Sequence, residues 1–464
     1  MNHPVATVER NSRMQAVSTM KVPRNPNTNT KSKMLTAIRS LATALLFFLA
    51  LTGSAFGQGT VEVTGLTMGP IPFRALVATN DTEQSKLNDI KSSVNNSLEK
   101  VNHLMSTYLE DSDVSKFNRS ESTDWISVEA ETAEVVLKAL EISKLTDGAF
   151  DPTVGPAVNA WKFGPDKSDR TNIPDDKKIT ELKSVVGYEA IEVRSDPPAI
   201  RKQKPAAKID LSAIAKGYAV DVVGKSLEAL GYENYMVVVG GEVITRGERA
   251  EGGPWNIAVE KPEKSGPTAR TLDRTHRIVK LSDRAIATSG DYRNFYDVDG
   301  KRYSHTIDPQ TCVPVDHNMA IASVVADDCM TADALATAVM VMGQEKGEAL
   351  CQKLGYPLLT VLRSDSADGL PHITNSSADF PLAEKEDDAT TDTEAASSSI
   401  LPVFLATFVI FCLMVLGMAV GAIFNNKPVT GSCGGIANMT NEDGDSVCGI
   451  CSKPTTDCTE PVEA

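Results

Sequence analysis

Three groups of residues in this chain have the types and spacing to do chemistry. The first is KIDLSAIAKGYAVD, residues 208–221, where an acid (Asp210), a hydroxyl (Ser212) and a lysine (Lys216) meet at the join of an apolar strand and a helix. Ser212 is placed as an N-cap, and Ile214, Tyr218, Val222, Leu227 and Leu230 recur at roughly helical spacing until Gly231 ends the pattern. The first turn of such a helix aims unpaired N–H groups, with the Lys216 amine, at whatever lies in front of Ser212, which suits an anion such as a phosphate. An ordinary capped core helix has the same pattern, and this stretch alone does not choose between the two. The second group is Asp333 and Thr337 in TADALATAVMVMG, residues 331–343, a helix opening on a threonine cap. A spacing of four puts carboxylate and hydroxyl on one helix face, two oxygen donors of the kind Mg²⁺ takes. An aspartate near a helix start also complements the helix dipole with no metal present. The third group is the tail, GSCGG followed by VCGICSKPTTDC, with Cys433, Cys448, Cys451 and Cys458. A CxxC pair with two further cysteines in a reducing compartment favours metal thiolate chemistry over disulfides.

The elements that position these groups follow from periodicity. Residues 61–78 alternate around GLTMGP, a strand leading into a Gly-Pro turn at Met68. Over residues 82–108, Leu87, Ile90, Val94, Leu98, Val101 and Met105 form one helical stripe that ends in MSTYLEDSDVSKFN. Tyr108 there either stacks on an aromatic ligand or fills core. Residues 128–146 form a second amphipathic helix leading to DGAFDPTVGPAVNAWKFGP, a Gly/Pro-rigidified loop that presents Ala149, Phe150 and Asp151 together. Phe150 has the simpler reading of a packed loop anchor. Residues 166–179 read as a charged surface excursion and residues 191–200 as a strand pair. From residue 234 to 315 strands dominate, broken by Gly240-Gly241 and by an Asp299-Gly300 hairpin signal. His305 lies near their end beside Thr306 and Asp308. A strand histidine is commonly structural, but one flanked by turn residues and hydroxyls is a site candidate.

Composition bounds the rest. A chain of 464 residues is long enough for two or three units, and a net charge of −15 with no offsetting basic patch argues against nucleic acid as partner. The first 40 residues carry seven Lys or Arg against one Glu, and residues 41–51 are an unbroken apolar or small run. With Ala55 and Gly57 ahead of Gln58, residues 1–57 read as an export signal. Residues 383–399 are an acidic, Ser/Thr-rich linker. Residues 400–424 carry no charge over 25 positions, the length of a transmembrane helix. The acidic flank before that span and Lys427 after it place the main domain, residues 58–382, outside and the tail, residues 425–464, in the cytoplasm. The expected address is the inner (cytoplasmic) membrane, with the main domain periplasmic on a single C-terminal span.

In order along the chain, TMGP, MSTYLEDSDVSKFN, DGAFDPTVGP, KIDLSAIAKGYAVD, VVVGGEV, IATSGDYRNF, YSHTIDP and TADALAT resemble the ApbE family of flavin transferases over roughly residues 60–370. The resemblance implies an α+β fold with a mixed or antiparallel sheet core and flanking helices. It implies Mg²⁺-dependent transfer of FMN from FAD to a threonine of a target protein, releasing AMP. Met68, Tyr108, Ala149, Phe150, Asp151, Asp210, Lys216 and His305 would line the FAD site. The Ala213 carbonyl, Asp333 and Thr337 would hold Mg²⁺, with Asp333, His305 and Lys216 as the catalytic candidates. Two positions depart from the family: Pro70 follows Met68-Gly69, and Cys312 stands in DPQTC where the family has glycine. Hydrolysis of FAD to FMN and AMP, and a non-catalytic flavin-binding scaffold, are the alternatives. The span and NNKPVTGSCGG, with the tail cysteines, resemble NqrM, a membrane maturation factor for the iron centre of the sodium-pumping NADH:quinone oxidoreductase. That implies iron on the four cysteines and a subunit of that respiratory complex as the flavinylated partner. A structural zinc knuckle is the competing reading for the tail.

Overall fold

The computed structural model describes residues 58–164, 170, 173–262, 275–364, 372–383 and 411. The chain divides into two units, Met1–Ala383 and Glu384–Ala464. The export signal at residues 1–57, the span at 400–424 apart from Phe411, the tail at 425–464 with its four cysteines, and all but the first residue of the linker lie outside the described residues. Among the described residues no helix is long and apolar enough to cross a membrane.

Eight strands build the central sheet: β1 (Gly59–Thr67), β2 (Ile71–Thr79), β3 (Tyr235–Val239), β4 (Glu242–Arg246), β5 (Ala285–Gly290), β6 (Met319–Ala326), β7 (Leu358–Arg363) and β8 (His372–Ser376). Their order across the sheet is their order along the chain, and every neighbouring pair is antiparallel. The α+β expectation holds, with a sheet that is antiparallel throughout. Side chains alternate between its two faces: Val237 and Val239 enter the main core, while Met236 and Val238 pack on the opposite side. Both faces are covered, so β6 is buried at every position and shows no polar alternation.

Helices α1 (Gln84–Met105), α2 (Ala130–Leu145), α3 (Ala215–Ala229) and α4 (Cys329–Met342) supply the main core on one face, and α5 (Gln344–Leu354) follows α4. The α1 stripe buries Ile90, Val94, Leu98, Val101 and Met105 as the spacing predicts. A ribbon of Trp255–Glu260 and Thr275–Leu281 covers the other face through Trp255, Val259, Val279 and Leu281.

Two helix starts differ from the sequence expectation. α3 begins at Ala215 with Ile214 as its uncapped N-cap, three residues after Ser212. Ser212 is otherwise engaged: its N–H donates to an Asp210 carboxylate oxygen at 2.9 Å and its hydroxyl to the same oxygen. Residues 211–214 close a turn of their own through Ile214 N–H to the Leu211 carbonyl at 3.0 Å. α4 is capped by Asp328, which accepts from the Thr331 N–H at 2.8 Å and the Thr331 hydroxyl at 2.9 Å. Thr331 is therefore in the first turn rather than the cap.

Candidate active site

The site is organised by a close crossing of α3 and α4. Gly217 permits it: a Cβ there would lie 2.3 Å from the Cys329 carbonyl oxygen and 2.9 Å from Asp333 Cβ. Asp221, one turn further along α3, accepts from the N–H groups of Cys329 at 2.8 Å and Met330 at 2.9 Å, so α3 supplies a second cap for α4. The crossing brings Lys216 to Asp333 across 117 residues of sequence, with Nζ 3.3 Å from Oδ1 and 3.2 Å from Oδ2. The Gly217 N–H donates to Asp333 Oδ2 at 3.1 Å.

A residue without a role in the sequence reading completes this cluster. Glu242 Oε1 lies 3.1 Å from Lys216 Nζ, and its Oε2 is buried with no hydrogen-bond partner. The signal was in VVVGGEV: a carboxylate opening a core strand straight after a Gly-Gly break. Gly240 and Gly241 have φ of 68° and 128°, a turn that glycine takes without strain. Burial works against the Lys216 charge, but Asp333 and then Glu242 outweigh it and hold the ammonium protonated. Burial pushes the Glu242 carboxyl above its ordinary range; Lys216 opposes this and the Asp333 charge adds to it. Lys216 keeps 24% of its side chain exposed against 3% for Asp333, so the lysine is the more accessible of the pair.

The motif stretches that precede the crossing are tied to it by backbone bonds. Residues 207–210 are not the strand that the sequence suggests; Asn118, at the end of MSTYLEDSDVSKFN, exchanges two 2.8 Å bonds with the backbone of Ile209 and so fixes the irregular segment feeding Asp210. The Asp210 N–H donates to the Pro152 carbonyl at 2.7 Å, which docks the DGAFDPTVGP loop on the join. Gln310, from HTIDPQ, donates to the Asp147 carbonyl at 2.8 Å. Within the loop, Ala149 and Phe150 are buried, and Phe150 is the packed anchor of the simpler reading. Asp151 also faces inward, accepting from the Thr153 N–H and hydroxyl and from the Tyr188 N–H at 2.8 Å. Burial raises its pKa against those bonds. The Phe150 ring and the Asp151 carboxylate are thus turned to the protein interior, and the N–H groups of Gly148, Ala149 and Phe150 are bonded back to Ser143 and Thr146.

Tyr108 is 69% exposed, which removes the core-filler reading and leaves its ring free to stack. Met68 sits half-buried in the β1–β2 turn with φ of 47°, followed by Gly69 at 86°, and Pro70 completes the turn without an N–H to donate. His305 is half-buried. Its N–H donates to the Asn294 carbonyl at 3.0 Å, and its buried Nδ1 has no hydrogen-bond partner. Burial lowers the imidazole pKa, so the ring is neutral at neutral pH. Cys312 takes φ of 57° in a buried turn, the left-handed conformation that glycine adopts freely, and its carbonyl accepts from the Trp161 indole at 2.8 Å.

Two of the three oxygen donors expected for Mg²⁺, Asp333 and Thr337, lie on one helix, α4. Asp333 is buried, and Thr337 lies one turn along α4, its hydroxyl 3.2 Å from that of Ser289 in IATSGDY. Among the described residues no group of three or more His, Cys, Asp or Glu side chains is arranged to hold a metal. A cation here would rest on one carboxylate with hydroxyl and carbonyl oxygens, which suits a hard ion that keeps water and phosphate ligands. The Asp333 carboxylate and the Thr337 hydroxyl on α4, with the buried Glu242 Oε2 unpartnered across the Lys216 ammonium, are oxygen donors of the kind that fit a divalent cation.

Comparison with known proteins identifies the family. The profile of the ApbE family matches residues 71–360, and that of (Na+)-NQR maturation NqrM matches residues 422–462. The chain is 38% identical over 340 residues to the FAD:protein FMN transferase of Vibrio cholerae serotype O1, covering 73% of this chain and 98% of that one. It is 34% identical to the Haemophilus influenzae protein of the same name, over 75% of this chain and 97% of the relative. The solved flavin transferase ApbE from Vibrio cholerae superposes with a TM-score of 0.62 at 36% identity, covering 70% of this chain and all of that structure. By the extent of these matches, the chain belongs to the ApbE family.

Proposed function

We propose that the protein is an FAD:protein FMN transferase that moves FMN from FAD to a threonine hydroxyl of a target protein in a Mg²⁺-dependent reaction. The observation that carries this reading is the meeting of Lys216 with Asp333 at the α3–α4 crossing. The threonine oxygen attacks the FMN-side phosphorus of FAD, the bridging phosphoanhydride bond breaks, and AMP leaves with the electron pair. Lys216, held protonated, would neutralise the phosphate oxygens. Asp333, Thr337 and the Ala213 carbonyl would hold Mg²⁺, whose chemistry when bound is to stabilise charge building on the leaving phosphate. Asp210 is pinned to Pro152 ahead of α3, and Tyr108 offers an exposed ring for stacking. In this reading His305, neutral at working pH, or Asp333 takes the threonine proton; the lowered His305 pKa and its unpartnered nitrogen favour the histidine.

The match of residues 422–462 to the maturation family supports the rest. In this reading the target is a subunit of the sodium-pumping NADH:quinone oxidoreductase. Residues 1–57 export the catalytic unit, residues 400–424 anchor it, and Cys433, Cys448, Cys451 and Cys458 bind iron on the cytoplasmic side for the same complex. One chain then serves flavin loading and iron loading on opposite sides of the membrane.

The test is to incubate the full-length protein with FAD, Mg²⁺ and such a subunit and weigh the subunit by mass spectrometry. Addition of FMN less one water to a threonine is expected, and chelation of Mg²⁺ abolishes it. Free FMN and AMP without addition would make the protein a hydrolase, and bound but unchanged FAD would make it a carrier. Either outcome sinks the transfer reading.

A further inference from the structure

The function read above uses Lys216 and Asp333 and leaves Glu242 unexplained. Its side chain is 5% exposed, one oxygen lies 3.1 Å from Lys216 Nζ, and the other is buried with no partner. A buried carboxylate oxygen without a donor is costly to keep, so a donor that arrives in another state of the site would account for it. Lys216 is the cation already in contact, and its ammonium sits between the two carboxylates at nearly equal distances. The space beside both is kept clear by Gly240, where a Cβ would lie 3.3 Å from Glu242 Oε2 and 3.6 Å from Lys216 Cδ.

We propose that Glu242 is a positioning residue: it is the seat that receives the Lys216 ammonium when a divalent cation occupies Asp333. This rests on the reading of Asp333 as a cation ligand. An ammonium and a divalent cation on the same carboxylate repel each other, so a cation at Asp333 weakens its hold on Lys216. Among the described residues Glu242 is the other carboxylate paired with Lys216. With the lysine seated there, Asp333 is released to the cation, and the ammonium stays at the edge of the cluster for a phosphate oxygen. A glutamine at position 242 keeps the shape and removes the charge, so the lysine remains on Asp333 and competes with the cation.

The probe is Mn²⁺ alone, its binding to the full-length protein followed by electron paramagnetic resonance. Asp333→Ala identifies the portion bound at this site and separates it from any ion on the tail cysteines. Glu242→Gln is expected to weaken that portion about tenfold when Lys216 is present. In a Lys216→Met background the same change should cost less than about threefold, since the competing ammonium is gone. Tryptophan-fluorescence melting checks that each variant is folded. A structure of the wild-type protein with Mn²⁺ gives a second readout that does not depend on the variants: Nζ is expected to stay on Glu242 and to leave Asp333. If Asp333→Ala leaves Mn²⁺ binding unchanged, the cation reading fails and the inference with it. If Asp333→Ala loses Mn²⁺ but Glu242→Gln binds it like wild type, or weakens it equally with and without Lys216, the inference alone is overturned. Nζ remaining on Asp333 in the loaded structure overturns it as well.

Discussion

Replacing Gly217 with alanine tests the crossing on which the site depends. In an isolated helix the change stabilises by about 0.5–1 kcal/mol, because alanine loses less backbone entropy than glycine. Here the new Cβ would meet the Cys329 carbonyl oxygen at 2.3 Å, its carbon at 2.7 Å and Asp333 Cβ at 2.9 Å. Two of these atoms are backbone and cannot rotate away, so α3 and α4 must separate by about 1 Å to reach ordinary contact. Overpacking of this kind costs about 1–3 kcal/mol. The 3.1 Å bond from the Gly217 N–H to Asp333, a charge-assisted one, is stretched at the same time. The net expectation is a loss of about 1–2 kcal/mol, a fall in Tm of roughly 2–6 °C for a domain of this size. Transfer should fall much further than stability, since a misplacement of about 1 Å at a phosphoryl-transfer site costs on the order of 100-fold. All three tryptophans, Trp125, Trp161 and Trp255, lie in the first unit, so intrinsic fluorescence on the full-length chain reports its melting. FMN addition to the target subunit, read by mass, reports activity. A Gly217→Ala protein that melts with the wild type and transfers FMN at its rate would refute the crossing as the organiser of the site.

Asp333→Ala should abolish FMN addition with melting shifted by only a few degrees; retained transfer would remove Asp333 from the mechanism. Cys312 separates strain from burial: Cys312→Ala keeps φ at 57° and loses the buried sulfur, whereas Cys312→Gly loses the sulfur and the strain. The glycine variant should therefore be the more stable of the two by about 1 kcal/mol, against the usual order in which alanine is favoured, and the reverse ranking in fluorescence melts would show that the turn is unstrained. Burial pushes Asp221 up to about 7, the Cys329 and Met330 N–H groups and Lys225 opposing the shift and Asp328 adding to it. A carboxyl raised in the folded state binds its proton there more tightly than when unfolded, so stability falls as pH rises from about 4 through about 7. Asp221→Asn should flatten that slope in melts at pH 5 and pH 8, and an unchanged slope would assign it elsewhere. His305, its pKa lowered by burial, should put the acid limb of the transfer rate below the imidazole's ordinary 6.5, and His305→Gln should remove that limb.

What the sequence made legible, and what it hid, divides along a physical line. Period and punctuation are local, so the α1 stripe, the strand pair at Ile191–Ser195 and Pro198–Lys202, the β3–β4 hairpin and α4 could be read to within a few residues. Helix starts were harder because a hydroxyl does not declare its partner: Ser212 serves Asp210, and Asp328 takes the cap expected of Thr331. The site divides in the same way. Lys216 and Asp333 were legible as types at helical spacing within familiar motifs, but their contact spans 117 residues and depends on a glycine whose role is the absence of an atom. Asp151 and Phe150 could be named but not aimed: a loop carboxylate and a loop ring look alike in sequence whether they face a ligand or the core. Glu242 was hidden for the opposite reason. In VVVGGEV it reads as the polar start of a hairpin strand, and only β4 at the centre of an eight-stranded sheet, beneath the start of α3, makes it a buried charge facing Lys216. A carboxylate buried that way costs the fold stability, so the residue least visible in the sequence is the one whose position most needs a functional account.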